Sequence, residues 1–237
     1  PDGIATYEGV EANVLGRTAG GVVGSTVPQS DGSVFTSGSV IRNSTANATV
    51  AGQALVGGLA GVGETVTGST ADGAVSGQAY TGGLIGLALG DVTGSAATGD
   101  VQRISVESRG PADTHGGLIG ATGGNVTDSR ATGDVASSSD NVGGLVGKNK
   151  ASITTPYVTG SATGDYDIGG LVGLQNGGTV TGSYATADVT GNNDGAGGLV
   201  GQNRDDSSVS RSYASGTVDG SENVGGLVGN NGGTVSN

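Results

Sequence analysis

A five-residue unit, Gly-Gly-aliphatic-aliphatic-Gly (the pentad), recurs along this chain and constrains its fold more than any other feature. Its copies begin at Gly20, Gly57, Gly82, Gly116, Gly143, Gly169, Gly197 and Gly225. The last four intervals are 26 to 28 residues long. That period suits one turn of a β-solenoid and is too short for most propeller blades. The paired glycines are expected at corners or at close contacts between coils.

A second block, Val/Ile-x-x-Ser-x-Ala-x-Gly/Ala-x-Val, follows the pentads. Six copies begin at Ile41, Val66, Val92, Val126, Val180 and Val209, and a seventh, placed at Val158 to Tyr166, is one residue short. From Ser onward the matched residues are two apart, so they share one strand face, which points inward. The leading Val lies an odd number of residues before Ser, so a bend is predicted between them, at residues such as Asn43 and Gly68.

Composition supports strands and turns. Glycine supplies 52 of the 237 residues and there is no Met, while Val, which favours extended backbone, is abundant. We predict an all-β β-solenoid of about eight coils, with a period of about 26–28 residues, three short strands per coil and no helices. Residues 20–237 form this solenoid, with an incomplete last coil. Residues 1–19 are a non-repeat segment that serves as a junction or a cap strand.

The third residue of each pentad is predicted to fill the core. Leu occupies this position in seven copies: Leu59, Leu84, Leu118, Leu145, Leu171, Leu199 and Leu227. The facing strand carries mostly small residues, so the two walls must approach closely. The bulk of the core then comes from the pentad wall.

The formal net charge of −12 excludes two classes of partner. Nucleic acid and anionic membrane surfaces would repel this chain, and the longest apolar run, 84–89, is far too short to insert into a bilayer. Lys occurs only at Lys148 and Lys150. This acidic bias predicts a protein from a high-salt environment, where salt screens the charge.

A column of aspartates is the candidate cation site. If coils stack about 4.8 Å apart, Asp100, Asp134, Asp165 and Asp188 are expected to align on the outer surface. Like charges at that spacing repel, and bound cations would relieve the repulsion. One column lacks the six to eight converging oxygens that Ca²⁺ prefers. We therefore expect no cofactor, with Ca²⁺ as the alternative.

Catalytic constellations are scarce. His115 is the only histidine and the chain has no Cys, so zinc sites and Ser-His-Asp triads are not expected, and His115 is interpreted as an exposed loop residue. The segment 143–148 lacks the first Gly and the final Ser/Thr of a phosphate-binding loop. A polysaccharide-acting β-helix enzyme with paired carboxylates is the minor alternative to a non-catalytic protein.

Surface features offer further candidates. Asn43, Asn47 and Asn125 begin Asn-x-Ser/Thr sequons, which carry glycans if the protein is exported. Three corners exceed the repeat length, at 25–40, 102–115 and 148–157. They are interpreted as tolerated insertions or as binding surfaces, with Phe35 and Tyr157 as exposed aromatic residues.

The last coil is expected to need a partner strand, because an uncovered solenoid end leaves unpaired sheet edges. Either the natural chain continues beyond Asn237, or a neighbouring subunit supplies the strand, for example through the segment 1–19.

The segment 169–189, in which Gly-Gly-Leu-Val-Gly precedes Thr-Val-Thr-Gly-Ser-Tyr-Ala-Thr, resembles the GLUG repeat. The resemblance extends from Gly20 to Asn237 and is strongest after Gly116. It implies a secreted or surface-exposed, adhesin-like β-solenoid, located outside the cell or on the cell surface of a prokaryote, whose repeats carry no catalytic residues.

Together these observations favour a structural or adhesive surface protein: a stiff rod, a stalk or a self-assembling filament subunit. Its main expected partner is a second copy, by end-to-end or strand-completing contacts, with surface glycans or other cells as further candidates. The alternative is a spacer or ligand-binding repeat region of a larger surface adhesin or surface enzyme.

Overall fold

The computed structural model describes residues 4–5, 13–25, 40–104 and 113–237, and within these ranges the chain forms strands and turns with no helix. No helix there could cross a membrane. The absence of helix agrees with the composition, because glycine and β-branched residues both disfavour helix interiors.

The strands follow one another as short segments. The first turns contain β1 (Ile4–Ala5), β2 (Asn13–Gly20), β3 (Val23–Ser25), β4 (Val40–Arg42), β5 (Thr45–Ala46), β6 (Thr49–Gly57), β7 (Ala60–Gly63), β8 (Thr65–Thr67), β9 (Thr70–Ala71), β10 (Val75–Gly77), β11 (Tyr80–Gly82) and β12 (Ile85–Ala88). The middle turns contain β13 (Val92–Thr93), β14 (Ala96–Ala97), β15 (Val101–Arg103), β16 (Thr114–Gly116), β17 (Ile119–Thr122), β18 (Val126–Thr127), β19 (Arg130–Ala131), β20 (Val135–Ala136), β21 (Asn141–Gly143) and β22 (Val146–Asn149). The remaining strands are β23 (Ile153–Thr154), β24 (Tyr157–Val158), β25 (Ser161–Gly169), β26 (Val172–Gln175), β27 (Gly178–Thr181), β28 (Tyr184–Ala185), β29 (Asp188–Gly197), β30 (Val200–Asn203), β31 (Ser207–Ser210), β32 (Tyr213–Ala214), β33 (Val218–Gly225), β34 (Val228–Asn231) and β35 (Thr234–Ser236).

These strands stack in parallel into four sheets, which we name by content. The valine sheet is β1-β4-β8-β13-β18-β23-β27-β31-β35, and the small-residue sheet is β5-β9-β14-β19-β24-β28-β32. The long sheet contains β2, β6, β10, β11, β15, β16, β20, β21, β25, β29 and β33, and the pentad sheet is β3-β7-β12-β17-β22-β26-β30-β34. About seven turns are complete, close to the eight coils predicted, and the β-solenoid fold is confirmed.

The number of strands per coil differs from the three predicted, because four sheets form. The block from Ser to Val was interpreted as one strand, but it bends near its Gly and becomes two, such as β9 and β10. The inward face survives this bend: Ser69, Ala71 and Val75 are all fully buried.

The predicted bend before each Ser is confirmed. Asn43, Gly68, Gly94, Asp128, Thr155, Gly182 and Arg211 all have positive φ, between 48° and 60°. This left-handed conformation turns the chain from the valine sheet into the small-residue sheet. It moves the leading Val to the same interior as the residues after Ser.

Two apolar cores result. The main core joins Val and Ile of the valine sheet, Leu and Val of the pentad sheet, and Ala of the small-residue sheet. A second core lies where the two halves of the long sheet pack together, with Val75 from one half and Val142 from the other. Six of the seven predicted leucines are fully buried, and Leu227 in the last coil is partly buried.

The second glycine of each pentad sets the separation of the coils. A Cβ at Gly117 would overlap the carbonyl oxygen of Gly144 in the next coil and lie 3.0 Å from Cβ of Ala131. The equivalent contact recurs from Gly21 through Gly198. A side chain at any of these positions would force the coils apart.

We therefore predict that Gly117→Ala lowers the free energy of unfolding by about 2 kcal/mol or more, within the range of overpacking mutations. The matched control is Gly123→Ala, because a Cβ at Gly123 has no neighbour within 4 Å. Urea unfolding followed by circular dichroism measures both. Equal stability of the two variants would contradict the role given to the pentad glycine.

Candidate functional site

The predicted aspartate column is real at Asp100 and Asp134, because Val101 pairs with Val135. The next layer places Ser161 in the column and the following layer Asp188. Asp165 lies elsewhere: its side chain is buried and its Oδ1 accepts a hydrogen bond of 2.9 Å from Asn192 Nδ2. The predicted column is therefore wrong at Asp165.

The cause of this error is the seventh block, which is not shortened. It begins at Ile153, which pairs with Val126 and Val180. Pro156 stands in the Ser position and Val158 in the Ala position, so the pattern is hidden by its residue types. The same register shows that 148–157 is ordinary repeat rather than an insertion.

The carboxylates of the solenoid accept hydrogen bonds from the following coil. Asp100 Oδ1 accepts from the Asp134 N–H at 3.0 Å, Asp134 Oδ1 from Ser161 Oγ at 2.8 Å, and Asp188 Oδ1 from the Thr217 N–H at 2.8 Å. The Thr217 hydroxyl and N–H together lower the pKa of exposed Asp188. These donors offset charge repulsion along the column. Among the described residues, no group of three or more His, Asp or Glu side chains could hold a metal ion.

The three sequon asparagines all lie on the surface. Asn43 and Asn47 are exposed, whereas Asn125 is exposed but engaged. Its Nδ2 donates to Asp91 Oδ1 at 3.2 Å and its Oδ1 accepts from the Ser152 N–H at 3.2 Å. A glycan on Asn125 would replace one of the two hydrogens on this Nδ2. Phe35 and the corner residues 26–39 and 105–112 lie outside the described residues, while Tyr157 is half-buried.

His115 is the main residue that sequence reasoning misplaced. It lies in β16 with 0% exposure, in the second core, so the prediction of an exposed loop residue is wrong. Its Nδ1 is 2.8 Å from Ser139 Oγ and 3.2 Å from Ser137 Oγ, and its Nε2 is 3.3 Å from the Gly77 carbonyl oxygen. Burial lowers the pKa of His115 to about 4, so the ring is neutral at physiological pH.

A buried ion pair accompanies this histidine. Arg103 and Asp113 flank the corner 105–112 and meet at 2.8 Å, with side chains only 7% and 4% exposed. The Asp113 charge raises and the Arg103 charge lowers the pKa of His115, both less than burial does. His115 itself is fully buried, so its imidazole has no contact with solvent.

We predict that the buried neutral imidazole makes the protein sensitive to acid. Since the folded pKa is below the unfolded pKa of about 6.5, the unfolded state binds the proton first as the pH falls. Stability is therefore full above pH 6.5 and falls by about 3 kcal/mol by pH 4. In His115→Val this component of the acid loss is absent, because valine does not bind a proton. Valine is a suitable replacement because Val142 occupies the same column.

Chemical denaturation of both proteins at pH 7.5 and pH 4.5 measures this difference. The hydroxyls of Ser137 and Ser139 lie 2.6 Å apart and keep each other as partners in the variant. An identical loss of stability in both proteins would contradict a neutral buried His115.

The pKa of Asp167 is raised, whereas that of His115 is lowered. Asp167 lies in β25 of the long sheet and has a positive φ of 49°. Burial, followed by repulsion from Asp194 and Asp140, raises its pKa to about 7 against the attraction of Arg204. The folded state therefore favours its protonated form, and this carboxyl destabilises the fold as the pH rises from about 4 to 7.

An aromatic column occupies the small-residue sheet. Tyr157, Tyr184 and Tyr213 stack with ring centroids 5.4 and 5.5 Å apart and planes inclined by 6° and 8°. Arg130 precedes them in register. Tyr213, which closes the stack in the last coil, is 57% exposed.

A shallow groove on another side gathers both lysines. Tyr80, Leu87 and Leu89 line it together with Lys148 and Lys150. Burial, followed by repulsion from Lys150 and Arg204, lowers the pKa of Lys148. This groove is an apolar, basic feature on a strongly acidic protein.

The parallel coils and their repeated interior contacts define a structural repeat protein of the β-solenoid class. A family model described as the GLUG motif matches residues 77–102, 164–190 and 192–219. The chain thus carries GLUG repeats, and the resemblance found in its sequence is confirmed. No curated protein matches the chain.

Proposed function

We propose that this chain is a non-catalytic, stiff rod exposed outside the cell, serving as a stalk or as a filament subunit of the surface. The observation that carries this proposal is the repeated polar and backbone bonding along the axis. From Leu59 through Leu199 each pentad Leu bonds the next coil, as from the Leu84 N–H to the Leu118 carbonyl at 2.9 Å. Bonds aligned with the axis resist bending and extension.

Polar ladders inside the rod support the same function. The N–H of Ser44 donates to Ser69 Oγ at 3.1 Å, that of Ser69 to Ser95 Oγ, and that of Ser95 to Ser129 Oγ. Each of these hydroxyls also donates to a carbonyl two residues earlier, as Ser69 does to Thr67. Buried amides add a second ladder, in which Asn149 Nδ2 donates to Gln175 Oε1 at 2.9 Å. Hydrogen bonds between equivalent side chains of successive coils fix the register between those coils.

The surface agrees with exposure to a salt-rich exterior. The net charge is −12 and the exposed carboxylates are spread along the rod. Exposed Asn43 and Asn47 are the acceptors that we propose for glycans. We propose no resident cofactor, because the carboxylates of the column, Asp100, Asp134 and Asp188, already accept hydrogen bonds from the protein.

A second candidate function is a ligand-binding spacer within a larger adhesin or surface enzyme. The groove at Tyr80, Leu89 and Lys148 favours it, because an aromatic and apolar floor with a basic rim suits surface glycans that carry acidic groups. Contact with other cells would follow from such binding.

We predict that antibodies raised against this chain label extended structures outside the envelope of the native cells. Immunogold electron microscopy on intact and sectioned cells measures the location, with pre-immune serum as the control. Gold confined to the cell interior would contradict the proposal. Labelling at the surface without any extended structure would favour the spacer function over the filament.

A further inference from the structure

The groove that contains both lysines, here called the lysine groove, is built by three successive coils of the solenoid. Two columns of residues at the end of the pentad-sheet strands form it. In register, the first column holds Leu87, Ala121 and Lys148. Two residues further along each coil, the second column holds Leu89, Gly123 and Lys150. The middle coil therefore has only a methyl group and a hydrogen where the coils on either side have long side chains.

Gly123 leaves the floor of the lysine groove open. The residue is exposed, and a Cβ built on it would have no neighbour within 4 Å. The two walls are two coil spacings apart, about 9.6 Å. The groove has a volume of about 300 Å³, which lies at the lower end of the range for small-ligand pockets. It lies in the middle of the solenoid, with complete coils on both sides.

The two walls differ in chemistry. On one side Leu89 is 38% exposed, and the half-buried Leu87 and Tyr80 line the groove with it. The opposite wall carries Lys148 and Lys150, which are the only lysines of the chain. Within the part of the chain that the structure describes, neither lysine forms an ion pair.

The two ammonium groups act on each other. Burial first, and then repulsion from Lys150 and Arg204, lowers the pKa of Lys148. An anion placed between Lys148 and Lys150 would relieve this repulsion. The lysine wall is therefore a place where a negatively charged ligand gains attraction that no carboxylate of the described chain supplies.

The surrounding charges direct such a ligand to one wall. Glu64 precedes Leu89 in the second column, because Gly63 pairs with Ala88 and the Leu89 N–H bonds to the Gly63 carbonyl. The acidic neighbour thus lies on the leucine side. At an ionic strength of 0.15 M, charges are screened beyond about 8 Å. A ligand in the groove then interacts with the two lysines more strongly than with the distant carboxylates that give the net charge of −12.

We propose that the lysine groove binds the uronic-acid units of an acidic glycan, with a sugar ring against Leu89 and Tyr80 and its carboxylate between the ammonium groups of Lys148 and Lys150. The proposal rests on the ligand-binding function given above as the second candidate, and it names the ligand and its orientation. The C–H groups of a sugar ring pack against apolar and aromatic side chains, and a carboxylate accepts charge-assisted hydrogen bonds from ammonium groups.

The ligand is tested with oligogalacturonate, a chain of uronic-acid sugars, and with its methyl ester, which has the same rings without the charge. Isothermal titration calorimetry is expected to show that the acid binds about tenfold more tightly than the ester, because only the acid bonds to the lysines. Octanoate, which has a carboxylate on an alkyl chain, is expected to bind more weakly than oligogalacturonate. Equal binding of acid and ester, or tighter binding of octanoate, would overturn the inference.

The lysine wall is tested with the double variant Lys148→Gln, Lys150→Gln. Its dissociation constant for oligogalacturonate is expected to rise about tenfold. The matched control, Arg42→Gln with Arg130→Gln, removes the same charge from two exposed positions outside the groove and is expected to bind as the parent does. Equal losses in the two double variants would assign the effect to net charge and overturn the site.

A change at Gly123 separates binding from folding. Gly123→Leu is expected to fill the floor of the groove and to lose binding, whereas its stability in urea is expected to match that of the parent because the side chain has free space. Gly123→Ala, which adds only a methyl group, is expected to keep more of the affinity. A Gly123→Leu variant that binds oligogalacturonate as tightly as the parent would overturn the groove as the site.

Failure of this inference is distinct from failure of the proposed function. A protein that immunogold labelling places outside the cell but that does not bind oligogalacturonate would retain the rod function and lose the glycan site. Binding by a protein that is confined to the cell interior would retain the site and contradict the function outside the cell.

Discussion

Close contact between glycine backbones is the constraint on which the rest of this structure depends. At the second glycine of each pentad the chain lies against the carbonyl of the next coil, where no side chain fits. Strand spacing then leaves room for one Leu per coil on this wall and small Ser and Ala residues opposite. A chain that is poor in large apolar residues can fold in this way because every coil buries the next one.

Hydrogen bonds from polar side chains add to the stabilisation that the small apolar core provides between coils. The Ser ladder runs from Ser44 to Ser129 and again from Ser183 to Ser212. Between these runs Pro156 occupies the Ser position. Because proline has no N–H, it leaves no backbone donor without an acceptor at this position. On the outside, aspartates accept hydrogen bonds from the coil that follows. Charge that would repel in a bare column thereby contributes to stacking.

Much of this fold could be predicted from the sequence. Periodicity identified the solenoid, the inward Ser-Ala-Val face and the buried leucines, because those signals repeat in almost every coil. The positive-φ corner was predictable from Asn43 and Gly68, since few residue types tolerate that conformation. A repeat sequence reveals such residue preferences because the same structural position occurs once in every coil.

The predictions from sequence were wrong at single residues in coils that depart from the repeat pattern. Ile153 begins a full block, but Pro156 and Val158 obscured it, and Asp165 was placed in the wrong column as a result. His115 precedes a pentad, where Val56, Val142 and Ile168 also stand. That alignment was a signal for burial, which the usual preference of histidine for surfaces outweighed. The Ser-to-Val run splits into two strands near its Gly or Ala position, such as Gly73. The inward residues Ala71 and Val75 stay buried on both sides of that bend, so their alternation did not reveal it.

Hydrogen exchange of the pentad amides tests the central claim most directly. The N–H groups of Leu84, Leu118 and Leu145 bond to the next coil at 2.9 Å, and close glycine stacking predicts that they exchange only through global unfolding. Their exchange free energies should then equal the free energy of unfolding. Exchange of these three amides at the rate of an unstructured peptide, with protection elsewhere, would contradict the account.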